Sequence, residues 1–211
     1  LKVIGFFFLA VLVLFLALPG IRTSLADKRK VSHSKAEVAS IPDSLFQSGD
    51  LVFRDGRGIV SSFFKKFSLK DPRYSHAGIL HRKGNQLFVY HLEEEVSGTD
   101  SRMRLDLINK FCSESQSNSF AIYRTTLPGA RIDSIAENYY HSGIKFDTHF
   151  DLTTDSKMYC TEFLYKVLMR ASGKDNFIPL TEFSGKKYSA CDNLYTLPGT
   201  KMIFSHTYST R

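Results

Sequence analysis

Three residues of this chain have the types needed for nucleophilic chemistry: Cys160 in the run M-Y-C-T-E-F-L-Y, His76 in S-H-A-G-I and His91 in L-F-V-Y-H. A free thiol ionises near pH ~8.5, so a nucleophilic cysteine needs help; a helix N-terminus and a neighbouring imidazole both favour the thiolate. Cys160 opens an amphipathic stretch, so the pattern predicts a thiol of depressed pKa at a helix start. A buried structural cysteine explains that segment equally well when it is taken alone. Thiol hydrolysis also needs a base and a third polar group that fixes the base's tautomer. His76 fits as base and His91 as orienter; Glu93, two residues on and on the same strand face, is the alternative orienter. Free backbone N–H groups at the start of the Cys160 helix form a natural oxyanion site. Tyr159 and Tyr74 are candidate oxyanion or substrate contacts, with packing as the plainer role of each.

These residues must be brought together by the elements that carry them. Gly49-Asp50-Leu51-Val52-Phe53 reads as a turn entering a short strand, and Arg57 to Phe67 reads as helical. Phe63, Phe64 and Phe67 beside Lys65 and Lys66 fit an amphipathic core helix, with lipid contact as the alternative. Tyr74 to His81 and Gln86 to Glu93 flank the turn Lys83-Gly84-Asn85, which predicts a hairpin setting His76 and His91 opposite or nearly so. A bulge at Gly78 would slip that register and turn one ring away. The spacing of Leu105, Ile108 and Phe111 predicts a helix over 105–113. A strand at 120–124, a helix from Ile132 to Tyr140 capped at Gly143, and the Cys160 helix ending at Gly173 follow. Phe163, Leu164, Val167, Leu168 and Ala171 form the buried face of that helix, and Cys160 lies on it. A last strand at Lys201 to Phe204 completes the sheet.

Taken in order, G-D-L-V-F at Gly49, S-H-A-G-I at His76, L-F-V-Y-H at His91, G-I-K-F-D at Gly143 and M-Y-C-T-E-F at Cys160 resemble one family. It is the permuted papain-like cysteine hydrolases of the NlpC superfamily, specifically the YiiX-like group, related to lecithin:retinol acyltransferase. The histidine-before-cysteine order is that of the permuted members. The resemblance implies an α+β, circularly permuted papain-like (NlpC-type) fold, an antiparallel sheet packed on helices with the nucleophile at a helix N-terminus. It also implies that His76 is the catalytic histidine and Cys160 the nucleophile. Many YiiX-like chains carry glutamate at the orienter position, whereas His91 follows the acyltransferase pattern.

The remaining features bound the setting. Val3 to Leu18 is an uninterrupted apolar run of roughly 24 Å as a helix, short of the roughly 30 Å hydrocarbon core. With Ser24-Leu25-Ala26 after it, residues 1–26 read as a signal peptide or N-terminal anchor; 27–40 is a polar linker and 41–211 the hydrolase domain. Arg22 and Lys28-Arg29-Lys30 put more positive charge after the run than before it, the flank of an anchor facing the cytoplasm. Export remains the preferred reading, to the periplasm or cell envelope or held at the membrane through residues 3–18. The net charge is +7, and removing residues 1–26 leaves +5. That excess suits an anionic surface or an ordinary solvated face. No nucleic-acid motif is present, so nucleic acid is excluded as a partner, and the expected partner is a small-molecule, peptide or lipid substrate.

Three cysteines in an exported chain suggest one reactive thiol beside a Cys112–Cys191 bridge, or three free thiols. Asp147, His149 and Asp151 lack the spacing of a zinc motif, so no metal and no cofactor is expected. His81, His141, His149 and His206 have no partner pattern, and Glu162 reads as a helix-start charge. The expected activity is cleavage of an amide or ester through an acyl-enzyme, with cell-wall peptide and lipid or fatty-acyl amide as the two substrate classes. A non-catalytic lipid- or wall-binding module on the same fold is the alternative.

Overall fold

The run Leu51-Val52-Phe53 is apolar at every position because both of its faces are covered, as expected of a strand at the centre of a packed sheet. The computed structural model describes residues 41–57, 61, 64–93 and 101–209. They lie within one compact unit, Ala36–Arg211. The leader 1–26, its apolar run 3–18 and the linker 27–40 lie outside the described residues. Among the described residues no helix is long and apolar enough to cross a membrane.

Six strands form one antiparallel sheet in the order β10-β5-β1-β2-β3-β4. They are β1 (Leu51–Gly56), β2 (His76–Lys83), β3 (Gln86–Leu92), β4 (Met103–Leu107), β5 (Ser117–Arg124) and β10 (Lys201–Thr207). Two small pairs lie outside it: parallel β6 (Lys145–Phe146) with β7 (Lys157–Met158), and antiparallel β8 (Thr181–Phe183) with β9 (Lys186–Tyr188). The helices are α1 (Ile108–Phe111), α2 (Gly129–His141), α3 (Cys160–Ser172) and α4 (Cys191–Tyr195). Strand alternation divides the core in two. Leu51, Phe53, Ala77, Ile79, Tyr90 and Leu92 pack with Ile132 and Ala136 of α2 and Phe163, Leu164, Val167 and Leu168 of α3. On the other face Val52, Leu80, Val89, Phe120 and Ile122 pack with Phe46, Tyr208 and Ile108 and Phe111 of α1.

The anticipated hairpin forms: Lys83 pairs with Gln86 and the register runs to Gly78 opposite His91. Gly84, at φ 58°, supplies the left-handed turn residue that a two-residue loop requires. Gly78 sits in a regular ladder without a bulge, and its lack of a side chain has a packing reason. A Cβ there would lie 2.3 Å from Val89 Cγ1 and 2.9 Å from the Tyr90 carbonyl oxygen.

Two expectations are corrected. Residues 103–107 are strand, and the helix of that region is only Ile108–Phe111. The 3-residue spacing of Leu105 and Ile108 suggests a helix. Met103-Arg104-Leu105-Asp106-Leu107 also alternates, however, and the free edge of β3 offers a full ladder of hydrogen bonds. Of the helix expected over 57–67, residues 58–60, 62 and 63 lie outside the described residues. Residues 61, 64 and 65 are helical, and Phe64 and Phe67 are half-buried. Finally, Cys112, Cys160 and Cys191 are all free thiols. Cys112 is packed on one face of the sheet and Cys191 on the other, so no bridge can join those two. The hairpin β8–β9 and helix α4 had no counterpart in the sequence reading.

Replacing Gly78 by alanine should destabilise the protein by about 1–3 kcal/mol, the usual cost of overpacking a filled core. A urea midpoint for Gly78→Ala equal to that of the parent would contradict the close approach of β3.

Candidate active site

Four adjacent strands each place one polar side chain on the same face of the sheet. Arg54 of β1 pairs directly with His76 of β2, and Gly78, two residues past His76, pairs with His91 of β3. Val89, two residues before His91, pairs with Asp106 of β4. Because direct partners and residues two apart share a face, Arg54, His76, His91 and Asp106 form a diagonal row. The two histidines are therefore diagonal neighbours.

The last three members are wired in series. His76 Nε2 lies 3.2 Å from His91 Nδ1, and His91 Nε2 lies 3.2 Å from Asp106 Oδ2. Lys110 Nζ donates to Asp106 Oδ1 at 2.8 Å. Both imidazoles pack on the ring of Phe111, with centroids 5.4 and 4.9 Å away, and the Arg54 guanidinium sits 4.5 Å from the same ring. Arg54 Nη1 donates to the Phe111 carbonyl at 2.9 Å and Nη2 to Glu93 Oε1 at 2.6 Å. Glu93 also approaches Arg104 at 3.5 Å. The carboxylate weighed as alternative orienter is thus engaged by arginines, and His91 is the group against His76.

These contacts assign the protons. The His91 hydrogen bond, with Lys110 beside it, holds the Asp106 carboxyl well below the usual range, so Asp106 is an acceptor only. Burial lowers the pKa of His91 despite Asp106, so this ring is neutral and its single proton is on Nε2, donated to Asp106. His91 Nδ1 then accepts, and the proton of His76 must be on Nε2. Burial, the Arg54 charge and His91 push His76 well below an ordinary histidine. What remains on His76 is a neutral ring whose bare Nδ1 is free to take a proton.

Cys160 is the first residue of α3, and the main-chain amides of Ala77 and Thr161 favour its charged form. The thiol therefore meets β2 at the residue following His76. Among the described residues no hydrogen bond joins the sulfur to the imidazole. The pKa expectation is reversed: burial outweighs the two amides and Arg54 and pushes the Cys160 thiol up to about 11. The thiol and the His76 ring are both neutral at rest.

The helix start is strapped in place by buried polar groups. Glu162 Oε2 accepts the Tyr159 N–H at 3.2 Å, and Lys166 lies 3.0 Å from its other oxygen; burial raises this carboxyl to about 7. The Tyr159 hydroxyl accepts the Ser189 N–H at 2.9 Å, and Thr161 Oγ1 donates to the Ser189 carbonyl at 2.7 Å. Tyr74 packs among Phe53, Tyr123 and Tyr195, with centroids 6.0, 6.4 and 5.4 Å away. Burial raises the pKa of both tyrosines, so both are neutral, and each is held within packed surroundings.

Other candidates lie elsewhere. Both Asp147 oxygens accept backbone N–H groups, from His149 at 2.9 Å and Asp151 at 2.6 Å, while the His149 side chain is 84 % exposed. Among the described residues no group of three His, Cys, Asp or Glu side chains converges as a metal site. His81 pairs with Asp133 and His141 with Glu137, and His206 packs on Phe120 and Tyr208.

Arg54, Asp106 and Phe111 were missed in the sequence. A charged residue closing the apolar run L-V-F-R was the signal for Arg54. The alternation M-R-L-D-L was the signal for Asp106, read there as helix.

A nucleophile-type cysteine at a helix N-terminus, set against an antiparallel sheet carrying a histidine from earlier in the chain, is the arrangement of a permuted papain-like hydrolase. The model of the permuted papain-like amidase enzymes, YaeF/YiiX, C92 family, matches residues 45–183, and the chain belongs to that family. A crystal structure described as the metalloprotein yiiX from Escherichia coli O157:H7 superposes with a TM-score of 0.60 at 17% identity. The match covers 77% of this chain and 98% of that one. No curated protein sequence matches. The permuted fold is as expected, and the family supports a cysteine hydrolase of the amidase type.

With the thiol at about 11, alkylation of Cys160 by iodoacetamide should accelerate about tenfold per pH unit from pH 7 to pH 10. Mass analysis of the labelled peptide reads the rate. A plateau reached below pH 8 would instead show a thiolate formed in advance.

Proposed function

We propose that this chain is an exported cysteine hydrolase that cleaves an amide or ester through an acyl-enzyme on Cys160. The observation that carries this reading is the relay His76–His91–Asp106, whose one uncommitted nitrogen belongs to the histidine adjacent to the residue that meets Cys160. His76 acts as base, His91 orients it, and Asp106 anchors His91.

Chemistry starts from neutral partners. As Sγ bonds to the substrate carbonyl carbon, the thiol proton passes to His76 Nδ1. That transfer runs uphill in the resting protein, and formation of the C–S bond drives it. The new imidazolium keeps its Nε2–H on His91, whose own proton points to ionised Asp106, so positive charge on His76 is stabilised through two hydrogen bonds. The free N–H groups at the start of α3 face the developing oxyanion. His76 returns its proton to the leaving amine or alcohol as that bond breaks, leaving a thioester. Water then attacks the thioester with His76 again as base, releasing the carboxylate and restoring the thiol.

The relative from Escherichia coli is described as a metalloprotein. The histidines here do not fit a metal-centred version of the site, because each ring nitrogen facing its neighbour is already in a hydrogen bond along the row. We place the domain outside the cytoplasm, on the strength of the apolar run 3–18. Cell-wall peptides and lipid or fatty-acyl amides are the substrate classes to be separated, by assaying release of peptide from purified wall against release of fatty acid from acyl amides.

Cys160→Ala should abolish turnover of the active class, and His76→Ala should lower kcat/KM by about 10²–10⁴. Asp106→Asn should cost a smaller factor, roughly 10–100, and shift the His76 tautomer seen by ¹⁵N chemical shifts. In the parent, kcat/KM should hold from neutral pH down to below pH 6, because the base stays unprotonated there. Retention of all activity in His76→Ala would remove His76 as the base, and no turnover of either substrate class by the parent would leave the binding module as the better reading.

A further inference from the structure

Beside the head of α3, a succession of half-buried rings leads away from the nucleophile. Phe150 lies 5.2 Å from Tyr159, the residue before Cys160, and 5.3 Å from Phe64. Phe64 continues to Phe67 at 6.4 Å, and Phe67 meets Phe183 at 5.7 Å and Tyr188 at 5.5 Å. Phe150 adopts φ 53°, a conformation unfavourable for a bulky residue, to take its place in the row.

The outer end of this row is open to solvent by construction. Phe183 is 58% exposed and Leu69, two residues beyond Phe67, is 63% exposed. Neither is on a slack segment. The Leu69 and Lys70 amides both donate to buried Asp192 Oδ2, at 2.8 and 2.7 Å, and the Tyr195 hydroxyl donates to the Asp71 carbonyl at 2.6 Å. Phe183 ends β8, and the two-residue loop Ser184-Gly185, with φ 53° and 74°, returns the chain to Lys186 directly opposite. Such firmly held apolar tips on a surface mark an interaction site.

Charge indicates the partner. Lys66, Lys70 and Lys186 are exposed next to the apolar tips and make no ion pair among the described residues. Lys65 is committed to Asp55, and Lys187 faces Glu182 across the hairpin. Apolar anchors ringed by uncommitted lysines match an interface between acyl chains and anionic headgroups. We propose that Leu69, Phe183 and the flanking lysines dock this domain on a lipid bilayer bearing anionic headgroups, with the aromatic row joining that surface to Cys160.

The chain contains no tryptophan, so a single introduced one reports its own surroundings. In the full chain, Phe183→Trp should shift to the blue and be quenched by bromine-labelled acyl chains in vesicles of phosphatidylcholine with phosphatidylglycerol. Leu107→Trp, exposed on edge strand β4 outside this face, should change several-fold less under the same conditions. Because the comparison is between positions in one chain, attachment of vesicles through residues 3–18 affects both alike. Adding Lys66→Gln, Lys70→Gln and Lys186→Gln to Phe183→Trp should lower the quenched fraction at least about tenfold at low ionic strength. Cys160→Ala should dock as the parent does, so failure of the hydrolase reading and failure of docking are separable. Equal quenching at both positions, indifference to lipid charge and to the lysines, or a Phe183→Trp shift that follows protein concentration without vesicles would overturn the proposal.

Discussion

The site depends on one constraint of the sheet: residues two apart, and residues paired across strands, share a face. That rule turns an arginine, two histidines and an aspartate from four strands into one row. Such a row is costly on a face otherwise filled by Val52, Leu80, Val89 and Phe120, because unpaired polar groups in an apolar setting lose their hydration. His76, His91 and Asp106 therefore bond in series, Arg54 bonds instead to Glu93 and the Phe111 carbonyl, and the Phe111 ring packs against both histidines and Arg54. A one-residue slip of β3 against β2 would send His91 to the opposite face, and the filled space beside Gly78 is part of what prevents it.

The two halves of the reaction centre come from different physics. The histidines are held neutral by burial, and the same burial holds the thiol protonated, so the resting site stores no separated charge. A helix start beside a cysteine is insufficient for a thiolate when the sulfur is also desolvated. The aspartate at the far end of the row stays ionised because the His91 hydrogen bond, and then Lys110, favour its carboxylate over the cost of its partial burial.

Much of the scaffold was legible in the sequence. The hairpin around Gly84, the α3 helix with Cys160 at its head, the α2 helix and the last strand follow from periodicity and turn residues, and the order of short motifs pointed to the family. What failed was local. Leu105, Ile108 and Phe111 have helical spacing, and only the open edge of β3 reveals that 103–107 pairs as a strand. Reading that segment as helix concealed Asp106, whose place depends on strand alternation. Glu93 looked as well placed as His91 from its spacing alone. Only the three-dimensional position of Arg54, 39 residues earlier, shows that its carboxylate has another partner. The phenylalanines near residue 64 carry a pattern that fits a buried helix, and the surroundings of Phe67 include Phe183 and Tyr188 of β8 and β9, far along the chain.

The strap between Ser189 and both sides of Cys160 ties the order of the chain to the timing of its chemistry. Every member of the histidine row is synthesised by residue 106, whereas Cys160 comes some fifty residues later and its seat at Ser189 later still. The thiol takes its seat only when the segment around Ser189 folds back on the head of α3, so a chain truncated before that segment lacks the bonds that fix both neighbours of Cys160.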